Sequence, residues 1–410
     1  MIEYGTASYR KITLSLALGS FLIFCNLYLF QPILPLLAKE FAMDETRINW
    51  IFAATTLALS VSLVPWAIAS ESFGRRITIL IGLFAIPLIG VSLIFDNSFY
   101  LLVAGRAILG LAIAAFAAVA VAYMAEELSA QAFSKAIGTY IAANSLGGIT
   151  GRLAGGILSE WLGWQQAVLF IATLTLLGAI VIAYMLPHQQ HFKPQKGLFY
   201  YHNRAIIRHL KNKMLWIAML IGGANFALFV NIYTVMGFRL VAAPHNLSIG
   251  LASMIFLCYL AGTLSSTLAG RWSQKHHPIK GILLGTLFNF VGLCIGYMDS
   301  IGAMIACLLL LSMGGFFVHT LAYAWVSQKA TEAKATATAL YLVHYYIGGS
   351  IGGFLLIYSW QAFAWIGIMT AGGILCIAVG ALSFALRHQE ETQISDHAEQ
   401  RSNNWIESKI

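Results

Sequence analysis

Residues 138–156 read GTYIAANSLGGITGRLAGG, an apolar stretch with six glycines and one charged residue, Arg152. Gly147, Gly151 and Gly155 are four residues apart, so in a helix they form one smooth face that a neighbouring backbone can approach closely. Faces of small residues are typical of helices that pack together inside a membrane. The stretch therefore predicts a membrane-embedded helix that packs against a second helix and carries a positive charge into the bundle.

The composition of the whole chain places most of its surface in lipid. Hydrophobic residues make up 59% of the 410 residues and charged residues only 10%, whereas a soluble chain carries roughly 25% charged residues. So few charges cannot coat a water-facing surface of this size. The net charge of +8 is interpreted as a sign of membrane orientation, and no nucleic-acid partner is expected. The five cysteines lack the paired spacing of zinc or redox sites, so we expect no metal and no cofactor.

Apolar segments of spanning length recur from one end of the chain to the other. A helix needs about 20 apolar residues to cross a bilayer, and we predict an all-α membrane protein with twelve transmembrane helices. The predicted spans cover residues 12–37, 48–70, 77–95, 99–124, 133–157, 165–187, 214–238, 248–270, 279–298, 301–327, 336–358 and 361–386.

Basic residues indicate which side of the membrane each connection faces. If both termini are cytoplasmic, 19 of the 24 lysines and arginines fall on the cytoplasmic side, as the positive-inside rule predicts. The longest connection, residues 188–213, holds six of them and no acid. We therefore predict a multi-pass membrane protein with both termini in the cytoplasm.

The chain contains an internal repeat of about half its length. The pattern Phe-x-x-Phe-x-Asn-x-Tyr occurs at 21–28 and again at 226–233, an offset of 205 residues. The pattern Gly-Gly-x-x-Gly occurs at 147–151 and again at 348–352, an offset of 201 residues. Since six helices per copy preserve the inside–outside sense, we predict two parallel halves with a solute site between them. The predicted domains are an N-terminal six-helix bundle (1–187), a basic cytoplasmic linker (188–213), a C-terminal six-helix bundle (214–386) and a disordered cytoplasmic tail (387–410).

The loop after the second span, residues 67–76, reads AIASESFGRR. It resembles the signature loop Gly-x-Leu-Ala-Asp-Arg-x-Gly-Arg-Arg/Lys of the major facilitator superfamily, with alanine in place of the first glycine and Glu71 in place of the aspartate. The resemblance implies that Glu71, Gly74, Arg75 and Arg76 form a cytoplasmic charge latch between helices that takes part in gating. Taken alone, a glycine turn followed by two arginines is a routine cytoplasmic anchor.

The fifth span carries the most specific resemblance. Its glycines match the element Gly-x8-Gly-x3-Gly-Pro-x2-Gly-Gly of the drug–proton antiporter branch of this superfamily, except that Arg152 stands where proline is usual. Residues 144–153 (NSLGGITGRL) are similar to YnfM-type, arabinose-efflux-like inner-membrane carriers. The resemblance implies a twelve-helix transporter of the bacterial plasma membrane with a gating fifth helix, and static packing is the alternative for the glycines. The implied gating glycines are Gly147, Gly151, Gly155, Gly348 and Gly352.

Two arginines are predicted inside spans, Arg106 in the fourth and Arg152 in the fifth, and no Asp or Glu is predicted at mid-membrane. A charge there costs about 2.5–3.5 kcal/mol on insertion scales, so each should face protein or a water-filled cavity. Without an acid to neutralise them, the two guanidinium groups favour a solute with a carboxylate or phosphate group. We therefore expect an anionic or neutral-polar solute and not a lipophilic cation. For Arg106, which resembles the superfamily's Arg-x-x-Gln-Gly element, a structural role on helix carbonyls is the alternative.

Polar side chains inside the predicted spans complete the candidate cavity. Histidine titrates near neutral pH, so His319 in the tenth span is a candidate proton carrier or substrate ligand, with an inert core residue as the alternative. Arg106 is the second candidate for proton coupling. Amides inside spans either contact the solute or bond between helices. The candidate substrate-binding residues are Asn26, Gln31, Arg106, Arg152, Asn231 and His319.

These patterns predict a secondary transporter. The favoured function is proton-coupled efflux of a small polar or anionic metabolite or drug by alternating access, with the energy source implied by the resemblance. The expected partners are this small-molecule substrate, protons and the lipid bilayer, and a monomer is the expected working unit. Uptake by a symporter or uniporter of the same fold and a non-transporting solute sensor are the alternatives. No catalytic residue is predicted, because the buried histidines lack a partner carboxylate, so the chain is not expected to be an enzyme.

Overall fold

The computed structural model describes residues 1–95, 98–190, 199–330 and 333–407. The described residues form sixteen α-helices and one short 3-10 helix without any β-strand, and a single bridge pairs Ile2 with Leu128. The helices are α1 (Ala7–Tyr28), α2 (Leu34–Glu40), α3 (Glu45–Ile48), α4 (Trp50–Phe73), α5 (Arg75–Leu93), α6 (Phe99–Ala117), α7 (Ala120–Glu127), α8 (Ala130–Leu162), α9 (Trp164–Met185), α10 (Phe199–Lys211), α11 (Lys213–Val241), α12 (Ile249–Ser253), α13 (Tyr259–Trp272), α14 (Pro278–Ile295), α15 (Ile301–Lys329) and α16 (Lys334–Glu407), with the 3-10 helix Met254–Cys258 between α12 and α13.

Ten helical stretches of the described chain are long and apolar enough to cross a membrane. The last of them, Thr336–Thr392, is 57 residues long, and its backbone leaves helical geometry at Phe363 and Ala364. Because one crossing takes about 20 residues, this stretch has the length of two spans. The glycines and polar residues of α8 lower its hydropathy below that of the ten, although its 33 residues exceed one crossing. With these two additions the architecture is consistent with the twelve predicted spans.

The glycine face of α8 packs directly on the backbone of α1. A Cβ atom placed on Gly151 would lie 2.5 Å from the main-chain oxygen of Cys25 and 2.6 Å from its Cα. Gly147 and Gly155, one turn away on either side, meet the same face of α1 just as closely. Only glycine leaves room for this approach, which brings the end of α1 beside the charged residue of α8.

The same packing recurs in the second half of the chain. Gly352 of α16 meets Ala227 of α11 in the way that Gly151 meets Cys25. The offset between these equivalent positions is 201 residues for the glycines and 202 for their partners. The register of these contacts therefore differs by three residues, close to one helical turn, from the 205-residue offset of the Phe-x-x-Phe-x-Asn-x-Tyr match. Aromatic residues repeat at about one-turn spacing along both helices, so their pattern alone does not fix the register, whereas the glycine contacts do.

Contacts between the N-terminal half (α1–α9) and the C-terminal half (α11–α16) concentrate toward one end of the bundle. We call this the far end; it holds α2, α3 and α12 and lies opposite the N-terminus. Every hydrogen bond that joins the two halves of the described chain lies between mid-bundle and this end. The bonds are Gln31 to Val230 (2.8 Å) and to Thr234 (2.9 Å), Thr46 to Gln361 (2.5 Å), Thr56 to Ser350 (2.7 Å), Arg152 to Tyr259 (3.3 Å) and Gly250 to Glu160 (2.5 Å).

The C-terminal tail differs from the sequence expectation. The sequence predicts disorder from Arg387 onward, whereas α16 continues as a helix to Glu407. The carboxylate of Glu390 lies 3.3 Å from the ring of His277 and also pairs with Lys329. These contacts tie the tail to the start of α14 and the end of α15. The composition of the tail alone does not indicate them. The last three residues lie outside the described residues.

The predicted basic linker, residues 188–213, is described only in part. Lys193 and Lys196 lie outside the described residues. The described portion contains α10, whose last turn is basic and which ends at Lys211, two residues before α11 begins.

Substituting Gly151 tests the contact between α1 and α8. In Gly151→Ala the new methyl group overlaps the backbone of Cys25, and overpacking of this kind typically costs about 1–3 kcal/mol. We expect a lower melting temperature for the purified protein in detergent. Gly138→Ala on the same helix is the matched control, because a Cβ there meets nothing within 4 Å. Equal melting temperatures for the two variants would show that this face is not under steric constraint.

Candidate functional site

Arg152 lies at the centre of the candidate site, with only 1% of its surface exposed. Its Nε donates to Oε1 of Gln31 at 2.7 Å, one terminal nitrogen donates to the carbonyl of Gly148 at 3.0 Å, and the other donates to the hydroxyl of Tyr259 at 3.3 Å. No acidic side chain of the described chain forms an ion pair with it. The guanidinium group is thus a buried positive charge that is held by neutral groups from both halves.

Three aromatic rings surround this guanidinium group. Its central carbon lies 3.6 Å from the ring centroid of Tyr28, 4.5 Å from that of Tyr259 and 5.0 Å from that of Phe256. Aromatic faces attract a cation through their quadrupole, and the attraction grows when water is excluded. Tyr28 belongs to the N-terminal half and the other two rings to the C-terminal half, so the guanidinium group lies between aromatic rings of both halves.

Gln31 connects Arg152 to the opposite half of the protein. It lies in the turn between α1 and α2, where Pro32 cannot donate a helical hydrogen bond. Its Oε1 accepts from Arg152, while its Nε2 donates to the carbonyl of Val230 at 2.8 Å and to the hydroxyl of Thr234 at 2.9 Å. The prediction placed Gln31 near the solute, and the structure places it directly beside the buried charge.

A continuous series of ring contacts leads away from Arg152 along the C-terminal half. The centroids of Tyr259 and Phe229 are 5.0 Å apart, those of Phe229 and Phe226 are 6.4 Å apart, and Phe226 stacks on Tyr345 at 3.8 Å. We call these rings, together with Phe316, the aromatic wall: Phe226, Phe229, Tyr259, Phe316 and Tyr345. The sequence analysis did not single out this arrangement, which joins four different helices, α11, α13, α15 and α16.

His319 stands at the other end of the aromatic wall. Its ring is half-buried and lies 4.3 Å from the ring of Tyr345. Its Nδ1 is 3.1 Å from the hydroxyl of Tyr341, and the described residues provide no hydrogen-bond partner for Nε2. One ring nitrogen is therefore fixed by the protein while the other remains available to solvent, a solute or a proton.

Arg106 has a different environment from Arg152. It is fully buried, and its three nitrogens donate to the main-chain oxygens of Ile51 at 3.2 Å, Asn26 at 3.1 Å and Leu27 at 3.0 Å. Its guanidinium group also lies 4.4 Å from the ring centroid of Phe30. With no exposed surface and every nitrogen engaged, Arg106 offers nothing to a solute or a proton path in this conformation. The structure therefore favours the structural alternative over the predicted role in substrate binding and proton coupling.

The amide of Asn26 also points into the N-terminal half. Its Nδ2 donates to the carbonyl of Leu22 at 2.9 Å and to the hydroxyl of Thr175 at 2.8 Å. This side chain ties α1 to α9, which is the helix-bonding alternative to the predicted substrate contact.

The amide of Asn231 lies at the interface between the halves. Its Nδ2 donates to the carbonyls of Ala227 at 2.9 Å and Gly349 at 2.7 Å, while its Oδ1 is enclosed without a partner. Asn49, at the start of α4, is enclosed beside it, and neither atom of its amide group has a partner. Both amides pack against Gly353. Since an unsatisfied buried polar group costs about 1–3 kcal/mol, the closed far end contains groups that gain from hydration when it opens.

The residues of the predicted charge latch lie together at the end of the bundle that carries the N-terminus. Arg75 lies 2.8 Å from Glu126 at the end of α7 and 3.6 Å from Glu71. Gly74 supplies the turn with a φ of 101°, a conformation that glycine adopts readily. Arg76 donates to two carbonyls at the end of α9, at 2.9 and 2.6 Å. These contacts all lie within the N-terminal half and fix the ends of four helices to one another.

Comparison with known proteins gives a consistent picture. A family model described as Major Facilitator Superfamily matches residues 16–269 and 240–409. The uncharacterized MFS-type transporter YybF of Bacillus subtilis is 31% identical over 372 residues, which cover 90% of this chain and 91% of the relative. The inner membrane transport protein YnfM of Escherichia coli is 29% identical over 371 residues, which cover 90% of this chain and 88% of the relative.

A solved structure is also similar over nearly the whole chain. A bacterial homolog of the human lysosomal transporter Spinster, in an inward-facing and occupied conformation, aligns with a TM-score of 0.74. The alignment covers 94% of this chain and 98% of that one at 14% sequence identity. At this identity the likeness shows a shared fold.

Removal of the Arg106 guanidinium group tests its structural role. Arg106→Ala removes the hydrogen bonds that this side chain donates to three buried carbonyls, and a buried polar group that loses its only partner costs about 1–3 kcal/mol. We expect a markedly lower melting temperature in detergent, and little folded protein if the costs add. Arg47→Ala is the control, because this arginine is exposed and, among the described residues, forms an ion pair only with Asp44. An Arg106→Ala protein that melts like the Arg47→Ala protein but has lost solute binding would restore the predicted functional role.

Proposed function

The chain belongs to the major facilitator superfamily and is a membrane transporter, and from this premise we propose that it exports a small polar or anionic metabolite or drug in exchange for protons. The family predicted from the sequence motifs is confirmed, and the relatives include YnfM. A membrane-embedded enzyme is set aside, since the family and the relatives are transporters. The solute class, the direction and the coupling ion form the proposal.

The observation that carries the proposal is the uncompensated charge of Arg152. The guanidinium group is buried between the two halves, where transporters of this architecture hold their solutes, and its described partners are neutral. A carboxylate is the group that such a fork binds best, because it accepts two parallel hydrogen bonds and supplies the missing charge. A lipophilic cation would instead be repelled from this position. Gln31, which holds Arg152, is the second substrate-site residue of the proposal.

The contacts between the halves support alternating access. With the termini in the cytoplasm, as the basic residues predict, the far end is the outer end, and we assign the structure to an inward-facing state. The solved relative of Spinster is described as inward-facing as well. Transport then requires that the far-end contacts break while the opposite ends approach. We propose that the glycine faces of α8 and α16 allow this movement and that the latch of Glu71, Gly74, Arg75 and Arg76 stabilises one of the two states.

His319 is the proposed proton carrier. Its unpartnered Nε2 and its half-buried ring at the end of the aromatic wall would let it exchange a proton with the cytoplasmic side. Protonation adds a positive charge near the solute path, so a bound anion and a bound proton influence each other. Uptake in the opposite direction would use the same residues, and the glycine pattern of α8 favours export only by resemblance.

Transport measurements on purified protein in sealed vesicles test the proposal. With an imposed pH gradient, we expect flux of an organic acid from a pool that also contains neutral sugars and cationic dyes. Arg152→Ala should abolish this flux, whereas the exposed Arg47→Ala should retain it. Flux of cationic dyes, or acid flux that does not change in Arg152→Ala, would contradict the assignment of the anion site.

The same vesicles separate proton coupling from solute binding. His319→Gln keeps a polar side chain that does not titrate, so we expect it to exchange solute down a concentration gradient without responding to the pH gradient. An unchanged response to the pH gradient in His319→Gln would remove His319 from the coupling mechanism and leave the anion site intact.

A further inference from the structure

We propose that the solute is an aromatic carboxylate, with its acid group on Arg152 and its ring on the aromatic wall. The inference rests on the proposed function, because it takes Arg152 as the anion site. It goes further because it says that the part of the solute beyond the carboxylate is an aromatic ring. The inference is based on the position of one unneutralised guanidinium group beside a run of aromatic rings that contact one another.

The acid group fits the donors that Arg152 has left. An arginine side chain has five N–H groups, and three of them are used by Gln31, Gly148 and Tyr259. The hydroxyl of Tyr28 also hydrogen-bonds with the guanidinium group, so its side-chain acceptors in the described part of the chain are one amide and two phenols, and none is a carboxylate. The bond to Tyr259 is the longest of the three, at 3.3 Å, and an incoming carboxylate oxygen is a stronger acceptor than a phenol. Arg152 can therefore bind one carboxylate and keep its hydrogen bond to Gln31.

The ring fits the surface that continues from this charge. Phe316 lies 5.9 Å from Tyr259 and 5.3 Å from Phe229, and both contacts are edge-to-face. Phe316 and Tyr345 are half-buried, so the wall presents ring surface on the open side of the bundle. A flat aromatic solute adds offset or edge-to-face contacts worth about 0.5–1.5 kcal/mol beyond simple burial. An aliphatic acid of equal size gains only the burial.

Two phenol groups beside the wall have unused hydrogen-bonding capacity. Tyr345 stacks on Phe226, and Tyr346 meets the same ring edge-on at 5.9 Å. The described residues give neither hydroxyl a hydrogen-bond partner, and neither oxygen is among the fully enclosed polar atoms. By contrast, the hydroxyl of Tyr233 in the adjacent core is bonded to Ser312. The free hydroxyls favour a polar substituent on the solute's ring, and they make Tyr345 and Tyr346 specificity-determining residues.

Four probe molecules test the class of solute. The purified full-length protein in lipid nanodiscs is titrated with benzoate, 4-hydroxybenzoate, cyclohexanecarboxylate and benzamide, and the rise in melting temperature gives an apparent Kd for each. Benzoate and cyclohexanecarboxylate share charge and size and differ in aromaticity, whereas benzamide keeps the ring and lacks the charge. Empty nanodiscs report on partition of the probes into lipid.

We expect 4-hydroxybenzoate and benzoate to bind more tightly than cyclohexanecarboxylate, by up to about tenfold if one good ring contact forms. Benzamide should not bind measurably, and Arg152→Ala should abolish binding of both aromatic acids. Tyr345→Phe keeps the stacking surface and removes one hydroxyl. It should bring the affinity for 4-hydroxybenzoate down to that for benzoate and leave benzoate unchanged. Tyr297→Phe, at an exposed tyrosine away from the wall, is the matched control.

The outcomes separate the two proposals. If cyclohexanecarboxylate binds as tightly as benzoate and both depend on Arg152, the aromatic assignment is overturned while the anion transporter stands. If no carboxylate binds, or if binding is the same in Arg152→Ala, the proposed anion site itself fails and the inference fails with it. If Tyr346→Phe, and not Tyr345→Phe, removes the preference for the hydroxylated ring, the solute class is supported and the specificity role belongs to Tyr346 alone.

Discussion

A positive charge buried in a lipid-surrounded bundle is the constraint on which the rest of the structure depends. Placing an arginine in mid-membrane costs about 2.5–3.5 kcal/mol even with favourable relaxation, and no carboxylate of the described chain neutralises Arg152. The protein compensates with neutral hydrogen-bond acceptors and three aromatic faces. Because these groups come from both halves, the charge is stable only where the halves meet. Because its burial is costly, Arg152 holds the two halves together through the partners it needs from each. In the proposed mechanism an anionic solute replaces some of these partners and so weakens the contact between the halves.

The close contact between α1 and α8 makes this arrangement possible. Without the glycine face around Gly151, the backbone of α1 would stand further away, and Tyr28 and Gln31 would not reach the guanidinium group. The break in α1 at Pro32 then turns Gln31 toward α11. Two sequence features that are simple in themselves, a glycine every fourth residue and a proline at a helix end, thus position the polar centre of the molecule.

The sequence predicts the architecture well because hydropathy, charge bias and glycine spacing each act locally. Spans, the internal repeat and the family all follow from patterns that one helix carries by itself. Arg152 and Gln31 were expected in the solute site because they lie inside spans, whereas the contact between them was not expected. The helical tail was not, because its contacts to Lys329 and His277 come from distant helices.

The remaining site could not be derived from sequence, since it depends on which way each buried side chain faces. Arg106 and Asn26 look like cavity residues in the sequence, yet both turn into the N-terminal half to satisfy carbonyls and hydroxyls there. The aromatic wall is assembled from four helices, and aromatic residues are common in the spans, so no local signal marks its members. The unsatisfied amides of Asn49 and Asn231 became visible only when the two halves were placed against each other.

The central claim is that the missing negative charge beside Arg152 is what the solute supplies. The most direct measurement is anion binding to Gln31→Glu, an almost isosteric variant that places a carboxylate oxygen where Oε1 now lies, 2.7 Å from Nε of Arg152. The account predicts that this internal carboxylate neutralises Arg152, abolishes binding of benzoate and makes the melting temperature insensitive to organic acids. Unchanged benzoate binding in a folded Gln31→Glu protein would contradict the account, because the carboxylate of the solute would then not be pairing with Arg152.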